Sequence, residues 1–189
     1  AEFSLSENGV LAYQTKHKSS GLIWFDRTGR ELGTVGEADE HFGLRLSSDG
    51  KRVGVGIADA RSGAGDLWIY DLPRNTRSRF TFHPDDDGFF IWSPDGRQAA
   101  CFSWRGQDKP SLYVNKLGEV GDGESSLAPG FQIPTDWSWD GRFIIYRENR
   151  PTVGGDLWIL PLFGDQKPFP FQRTPFNETD ARFSPENRW

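Results

Sequence analysis

A chain of 189 residues has room for one sizeable domain or one repeat array. Its 22 glycines, 12 prolines and 14% aromatic content imply many short, aromatic-packed elements between turns, and no apolar run approaches the roughly 18 residues a membrane span needs. A net charge of -5 argues against nucleic acid as a partner.

The elements follow one another in a fixed cycle. In the first repeat a strand reaches Leu5, a turn reads Ser6-Glu7-Asn8-Gly9, and an apolar run covers Val10–Tyr13. A third strand then starts at Leu22, with Ile23 and Trp24, and a fourth covers Leu32–Val35. The second repeat gives Leu46, the turn Ser47-Ser48-Asp49-Gly50, a strand over Val53–Ile57, a loop over Asp59–Gly65, a strand from Leu67-Trp68 and a weaker one over Arg79–Phe82. The third gives Trp92, Ser93-Pro94-Asp95-Gly96, Ala99–Ser103, a strand from Leu112-Tyr113 and a short strand near Ser125–Leu127. The fourth gives Trp137, Ser138-Trp139-Asp140-Gly141, Phe143–Tyr146, a loop over Glu148–Gly155, a strand from Leu157-Trp158 and another over Phe171–Thr174. Phe183 and Ser184-Pro185-Glu186-Asn187 open a fifth.

The turn positions Gly9, Gly50, Gly96, Gly141 and Asn187 are 41, 46, 45 and 46 residues apart. Short strands of β-branched and aromatic residues, with no helical period, make the chain all-β. Four strands per unit at this period predict the antiparallel blades of a β-propeller. An immunoglobulin-like sandwich also spaces strands by 8–12 residues, but gives no reason for one phrase to recur every 45. The expected blades cover about residues 2–42, 43–88, 89–134 and 135–179, with 180–189 starting the next. The chain contains no Met and stops inside a repeat. It therefore reads as an arc of a larger ring of six or more blades, whose exposed terminal blades invite self-association.

At Trp92-Ser93-Pro94-Asp95-Gly96-Arg97, and at Asp66-Leu67-Trp68-Ile69 and Asp156-Leu157-Trp158-Ile159, the chain resembles the WD40-like (PD40) propeller repeats of TolB-type proteins over essentially its whole length. Asn8, Trp139 and Glu186-Asn187 depart from the turn pattern. The stretch Lys167-Pro168-Phe169-Pro170-Phe171 with Thr174-Pro175-Phe176-Asn177-Glu178 is similar to propellers that follow the kinase domain in bacterial membrane-anchored serine/threonine kinases. That resemblance implies an extracytoplasmic sensor that binds a protein or small ligand on the propeller face. The alternatives are a TolB-type periplasmic scaffold, or the gating propeller of a prolyl-oligopeptidase-like peptidase.

No nucleophile elbow, phosphate-binding loop or kinase catalytic loop is present in these residues, so the segment is expected to be non-catalytic and to need no cofactor. His17, His41 and His83 share no metal-ligand spacing and read as exposed loop histidines. Cys101, between Ala100 and Phe102, reads as a small buried residue. Asp49, Asp95 and Asp140, with Asp71, read as turn residues whose carboxylates bond the backbone two positions on, while Asp-Gly supplies the positive φ angles of a hairpin. Trp68, Tyr113 and Trp158, each 45 residues apart, read as packing between blades. The remaining candidate is acidic: Asp39, Glu40, Asp85, Asp86, Asp87, Asp136, Glu178 and Asp180 lie on the connections into the inner strands. Glu40, Asp86 and Asn177 share one register, which Phe131 breaks. Carboxylates meeting at a channel mouth would form a negative funnel for a cation or a basic segment of a partner.

Overall fold

The computed structural model describes residues 2–6, 11–14, 20–59, 61–105, 109–119, 124–125, 130–150 and 154–185. The centres of the first and last turns, at residues 7–9 and 186–187, lie outside the described residues, as do His17 and residues 126–127 of the expected strand near Ser125–Leu127.

Four antiparallel sheets of four strands follow in chain order. β1 (Glu2–Leu5), β2 (Leu11–Gln14), β3 (Ser20–Phe25) and β4 (Glu31–Asp39) form the first. β5 (His41–Leu46), β6 (Arg52–Ala58), β7 (Gly65–Asp71) and β8 (Thr76–Arg79) form the second. β9 (Asp87–Trp92), β10 (Gln98–Ser103), β11 (Ser111–Lys116) and β12 (Glu124–Ser125) form the third, and β13 (Phe131–Trp137), β14 (Phe143–Arg150), β15 (Gly154–Pro161) and β16 (Phe169–Gln172) the fourth. Each sheet is a simple meander whose strands pair in sequence order. The first strands β1, β5, β9 and β13 pack beside one another, which makes them the inner strands of successive propeller blades.

The hydrophobic core is divided among the gaps between blades. Ala12, Leu22 and Val35 of the first blade meet Leu44, Val53, Val55, Ile57 and Tyr70 of the second. Leu67 and Ile69 of the second meet Phe90, Ala99, Cys101 and Tyr113 of the third. Ile91, Ala100 and Leu112 of the third meet Trp137, Ile144, Tyr146 and Leu160 of the fourth. The period of two along each strand makes this possible, because alternate side chains serve opposite gaps. In β6 the valines and Ile57 face the first blade, while Gly54 leaves room for Phe90 of the third: a Cβ at Gly54 would lie 2.5 Å from the Phe90 ring. Trp68, Tyr113 and Trp158 all pack into these gaps, as their spacing predicted. Cys101 is fully buried.

The outer strands depart from the sequence reading. The second blade's is Thr76–Arg79, not Arg79–Phe82, and the fourth's is Phe169–Gln172, not Phe171–Thr174. The first runs longer than Leu32–Val35, to Glu31–Asp39. β8, Thr-Arg-Ser-Arg, has no hydrophobic pattern to mark it, and β16 is exposed at every position although Phe169 and Phe171 alternate along it. Their start is fixed instead by a tight turn, where Asn75 at φ +50° donates its amide to the Leu72 carbonyl at 3.3 Å.

The inner strands β5, β9 and β13 also carry a bulge, whereas β1 pairs with β2 in unbroken register. In β5 and β9 the residue four before the turn serine takes a positive φ: Gly43 at +65° and Phe89 at +50°. Asp180 repeats the conformation, at +50°, and Asp tolerates it better than most residues. Pro134 stands at this register in β13, and the bulge there falls between Pro134 and Asp136.

Filling the gap at Gly54 should be costly. Gly54→Val should lower unfolding free energy by about 1–3 kcal/mol in urea titration, because Phe90 has no free space to retreat into; an unchanged midpoint would show that the gap is loosely packed.

Candidate functional site

The recurring turn is one hydrogen-bonded module. Ser47 Oγ lies 2.6 Å from Asp49 Oδ1 and accepts the Arg52 amide at 3.0 Å, while Asp49 Oδ1 accepts the Lys51 amide at 3.0 Å. Ser93, Asp95, Arg97 and Gln98 repeat it at 2.7, 3.0 and 2.9 Å, and Ser138, Asp140, Arg142 and Phe143 at 2.7, 3.0 and 2.9 Å. Only the glycine takes a positive φ: Gly50 at +65°, Gly96 at +64° and Gly141 at +73°. The aspartates are thus bonding partners and not left-handed residues, which corrects the expectation that Asp and Gly together supply the positive φ angles. Hydrogen bonds from Ser93 and Ser138 hold the carboxyls of Asp95 and Asp140 below the usual range. At Asp49 partial burial pushes upward, but the bonds from Ser47 and the Lys51 amide prevail.

Two residues before each turn serine stand Ser4, Arg45, Ile91, Asp136 and Arg182, and this register joins neighbouring blades. Ser4 Oγ accepts the amide of Leu46 in the next blade at 2.9 Å. Asp136 Oδ2 accepts the Phe183 amide at 2.7 Å, the equivalent bond one junction from the other end. Between the second and third blades the Trp92 indole donates to the Arg45 carbonyl at 3.0 Å. Together these strand ends wall an axial cavity of about 440 Å³, with Ser48, Pro94, Trp139 and Pro185 at the turns. Among the described residues its charged lining is Arg45, Asp136 and Arg182, and Arg182 lies 3.5 Å from Asp136. Burial raises the Asp136 carboxyl, opposed by the Phe183 amide and Arg182.

The acidic residues singled out in the sequence fall largely in two places. Asp136 lines this cavity. Asp180 lies between the two, at the bulge position, and the other six sit at or before the opposite ends of the inner strands, roughly 13–20 Å away for four to six residues of strand. Most of them hold the chain together. Asp39 Oδ2 is 3.5 Å from Arg77 and its Oδ1 accepts the Glu40 amide. The carbonyls of Glu40 and Asp86 accept the amides of Ala58 and Trp104, which confirms their common register. Asp86 Oδ1 takes the Gly65 amide at 2.6 Å, and Asn177 Oδ1 takes that of Gly155 at 2.7 Å. These side chains therefore clamp each connection onto the third strand of the preceding blade. The Asp85 amide donates to His83 Nδ1 at 3.2 Å, Glu178 hydrogen-bonds the Thr174 hydroxyl, and exposed Asp180 occupies the bulge position. Among the described residues no group of three His, Cys, Asp or Glu side chains is placed to hold a metal ion.

One register went unnoticed in the sequence. Six residues before each turn serine stand His41, Asp87, Gln132 and Glu178, and the first three are buried. His41 is only 4% exposed, with Nε2 3.4 Å from the Tyr70 hydroxyl, so it is a core residue and not an exposed loop histidine. Asp87 is fully buried beside Ser103 and Thr81; burial pushes its carboxyl up, against those hydroxyls and Arg105. Counting back from the serine, as for the turn, would have exposed this ring of polar residues.

No protein-family profile matches the chain. TolB of the Tol-Pal system from Helicobacter pylori is 28% identical over 118 residues, which cover 62% of this chain and 28% of that protein. The crystal structure of TolB from Acinetobacter baumannii superposes with a TM-score of 0.77 at 19% identity, over 100% of this chain and 47% of that one. The fold is a TolB-like β-propeller. The propeller of the trilobed protease from Pyrococcus furiosus is also similar, with a TM-score of 0.65 at 14% identity over 92% of this chain and 57% of that one. The chain thus spans about a quarter of the curated relative and about half of the TolB structure it matches.

Within the propeller, Asp87 sets a pH dependence. A carboxyl whose folded pKa is raised favours the folded state below its unfolded value and costs stability once pH passes the folded one. Asp87→Asn should therefore raise the melting temperature at pH 7, and the gain should shrink as pH falls through the ordinary carboxylate range. Equal gains at pH 7 and pH 4 in calorimetry would show that Asp87 is not held as an ionised, desolvated group.

Proposed function

We propose that this propeller is a non-catalytic binding module that receives an extended segment of a partner protein in its axial cavity. The observation that carries this reading is the cavity wall itself, to which all four blades and residues 182–185 contribute matching positions. A rigid frame that presents one turn per blade around a cleft is suited to binding, because the frame fixes the turns while their side chains vary. Trp139 stands in the register of Ser48, Pro94 and Pro185 and is 41% exposed at the cavity, where an aromatic side chain can anchor a ligand.

The likeness to TolB supports a scaffold in the periplasm as the setting. Its likeness to the trilobed protease propeller is a likeness of fold. The segment Lys167–Glu178 supports a second setting, the extracytoplasmic sensor of a receptor-like kinase; it forms β16 and the following connection, with Phe169, Phe171 and Phe176 exposed.

Selection of this chain against a displayed random-peptide library tests the reading. Selected peptides should lose about tenfold or more in affinity for Trp139→Asp, with the circular-dichroism spectrum unchanged. A library whose binders are all insensitive to Trp139 and to Arg182 would overturn it.

A further inference from the structure

We infer that Phe89 is a second anchor for the bound segment, a ring on which an aromatic side chain of the partner packs. This inference deepens the binding reading above and rests on it. Phe89 lies on β9 two residues before Ile91, which lines the axial cavity, and so about 7 Å further along the same inner strand.

Neither backbone nor packing favours a phenylalanine at this place. Its φ of +50° is an outlier for a bulky side chain. The same register holds Gly43 in β5 and Asp180 before the fifth turn, residues that tolerate the conformation. Burial does not repay the cost, because Phe89 is 48% exposed. Among the described residues it is the exposed large apolar side chain on an inner strand that has inner strands packed on both sides, β5 and β13. Backbone strain of this kind concentrates at ligand clamps and other functional positions.

The ring is also held in place. Phe89 packs against buried Phe102 with ring centroids 5.5 Å apart; Phe102 stacks on Phe131 at 6.3 Å, and Trp104 meets Phe131 edge-on at 6.3 Å. Open room lies beside it: a Cβ at Gly43 would meet nothing nearer than the Phe89 amide nitrogen, 4.0 Å away. One half-exposed ring is a small part of the roughly 800 Å² that each partner of a stable complex buries, so a second copy of the chain is not what it fits. Asp86 and Arg105, which flank this aromatic run in sequence, are opposite in sign and engaged in the fold. Asp86 accepts the Gly65 amide, and the Arg105 guanidinium lies on the Tyr113 ring at 3.8 Å. Recognition therefore falls to the aromatic face, which pairs best with another ring, offset or edge-on. A single ring pair contributes too little to hold a free aromatic molecule, so the ring arrives on a segment that the cavity also holds.

Panning a displayed random nonapeptide library on this chain, and in parallel on Phe89→Asn and Phe89→Tyr, tests the anchor. Binders of the unaltered chain and of Phe89→Tyr should share an aromatic residue at one position, and its replacement by Ala should weaken them about fivefold. Against Phe89→Asn the same replacement should have no effect, while dependence on Trp139 persists. Because Asn tolerates a positive φ, Phe89→Asn should melt no lower than the unaltered chain. Binders that depend on Trp139 but show no aromatic preference tied to Phe89 would overturn the anchor and leave the binding module standing. A clear fall in the melting temperature of Phe89→Asn would also overturn it, since the ring would then serve packing. If no peptide is selected, or none depends on Trp139 or Arg182, module and anchor fail together.

Discussion

The whole structure depends on one packing constraint: each blade must be large on one face where its neighbour is small. β6 meets it with valines towards the first blade and glycines towards the third, so that Phe90 can press against the backbone at Gly54. β10 continues the pattern with Ala99 and Cys101 on one side and Ala100 on the other. No single sheet has a core of its own. The apolar residues are buried only because a second sheet covers them, so the stability of each blade resides in its junctions.

Polar contacts then set the angle at which the sheets meet. The serine hydroxyl, the tryptophan indole and the aspartate carboxylate at the first, second and last junctions are chemically different, yet each spans the gap near the same end of the inner strands. The connections are fastened separately, by Asp86 and Asn177 onto the amides of Gly65 and Gly155. Packing supplies the attraction, and these directional bonds select one geometry for it. The acidity of the connections is therefore largely structural, while the cavity at the opposite end is lined by Arg45, Asp136 and Arg182.

Much of this was legible in the sequence, because repetition turns one observation into four. The strand order, the turn serine and the stripe of Trp68, Tyr113 and Trp158 all follow from a fixed spacing. The outer strand β8 was misplaced because Thr-Arg-Ser-Arg has no hydrophobic period and the apolar residues Phe80 and Phe82 drew the boundary too late, and β16 starts two residues earlier than expected, at Phe169. The burial of His41 was missed because a histidine following Asp39 and Glu40 looks solvated until the Tyr70 ring is placed edge-on against it. Glu40, Asp86 and Asn177 share a register, but a shared register shows a shared backbone role before it shows a shared ligand. Arg45 and Arg182 escaped notice because position two before the serine holds four different kinds of group in five repeats: a hydroxyl, an aliphatic chain, a carboxylate and, twice, a guanidinium.

The glycine-and-aromatic gap at Gly54 has a bearing on how such a chain can change over generations. A duplication or deletion of one whole unit, about 45 residues, brings its small face, its large face and its latch along together, and every new neighbour finds a fitting surface. A cut made half a unit out of phase would set two large faces against each other. Evolution of this architecture is thus quantised, and its lengths should differ between descendants by whole blades.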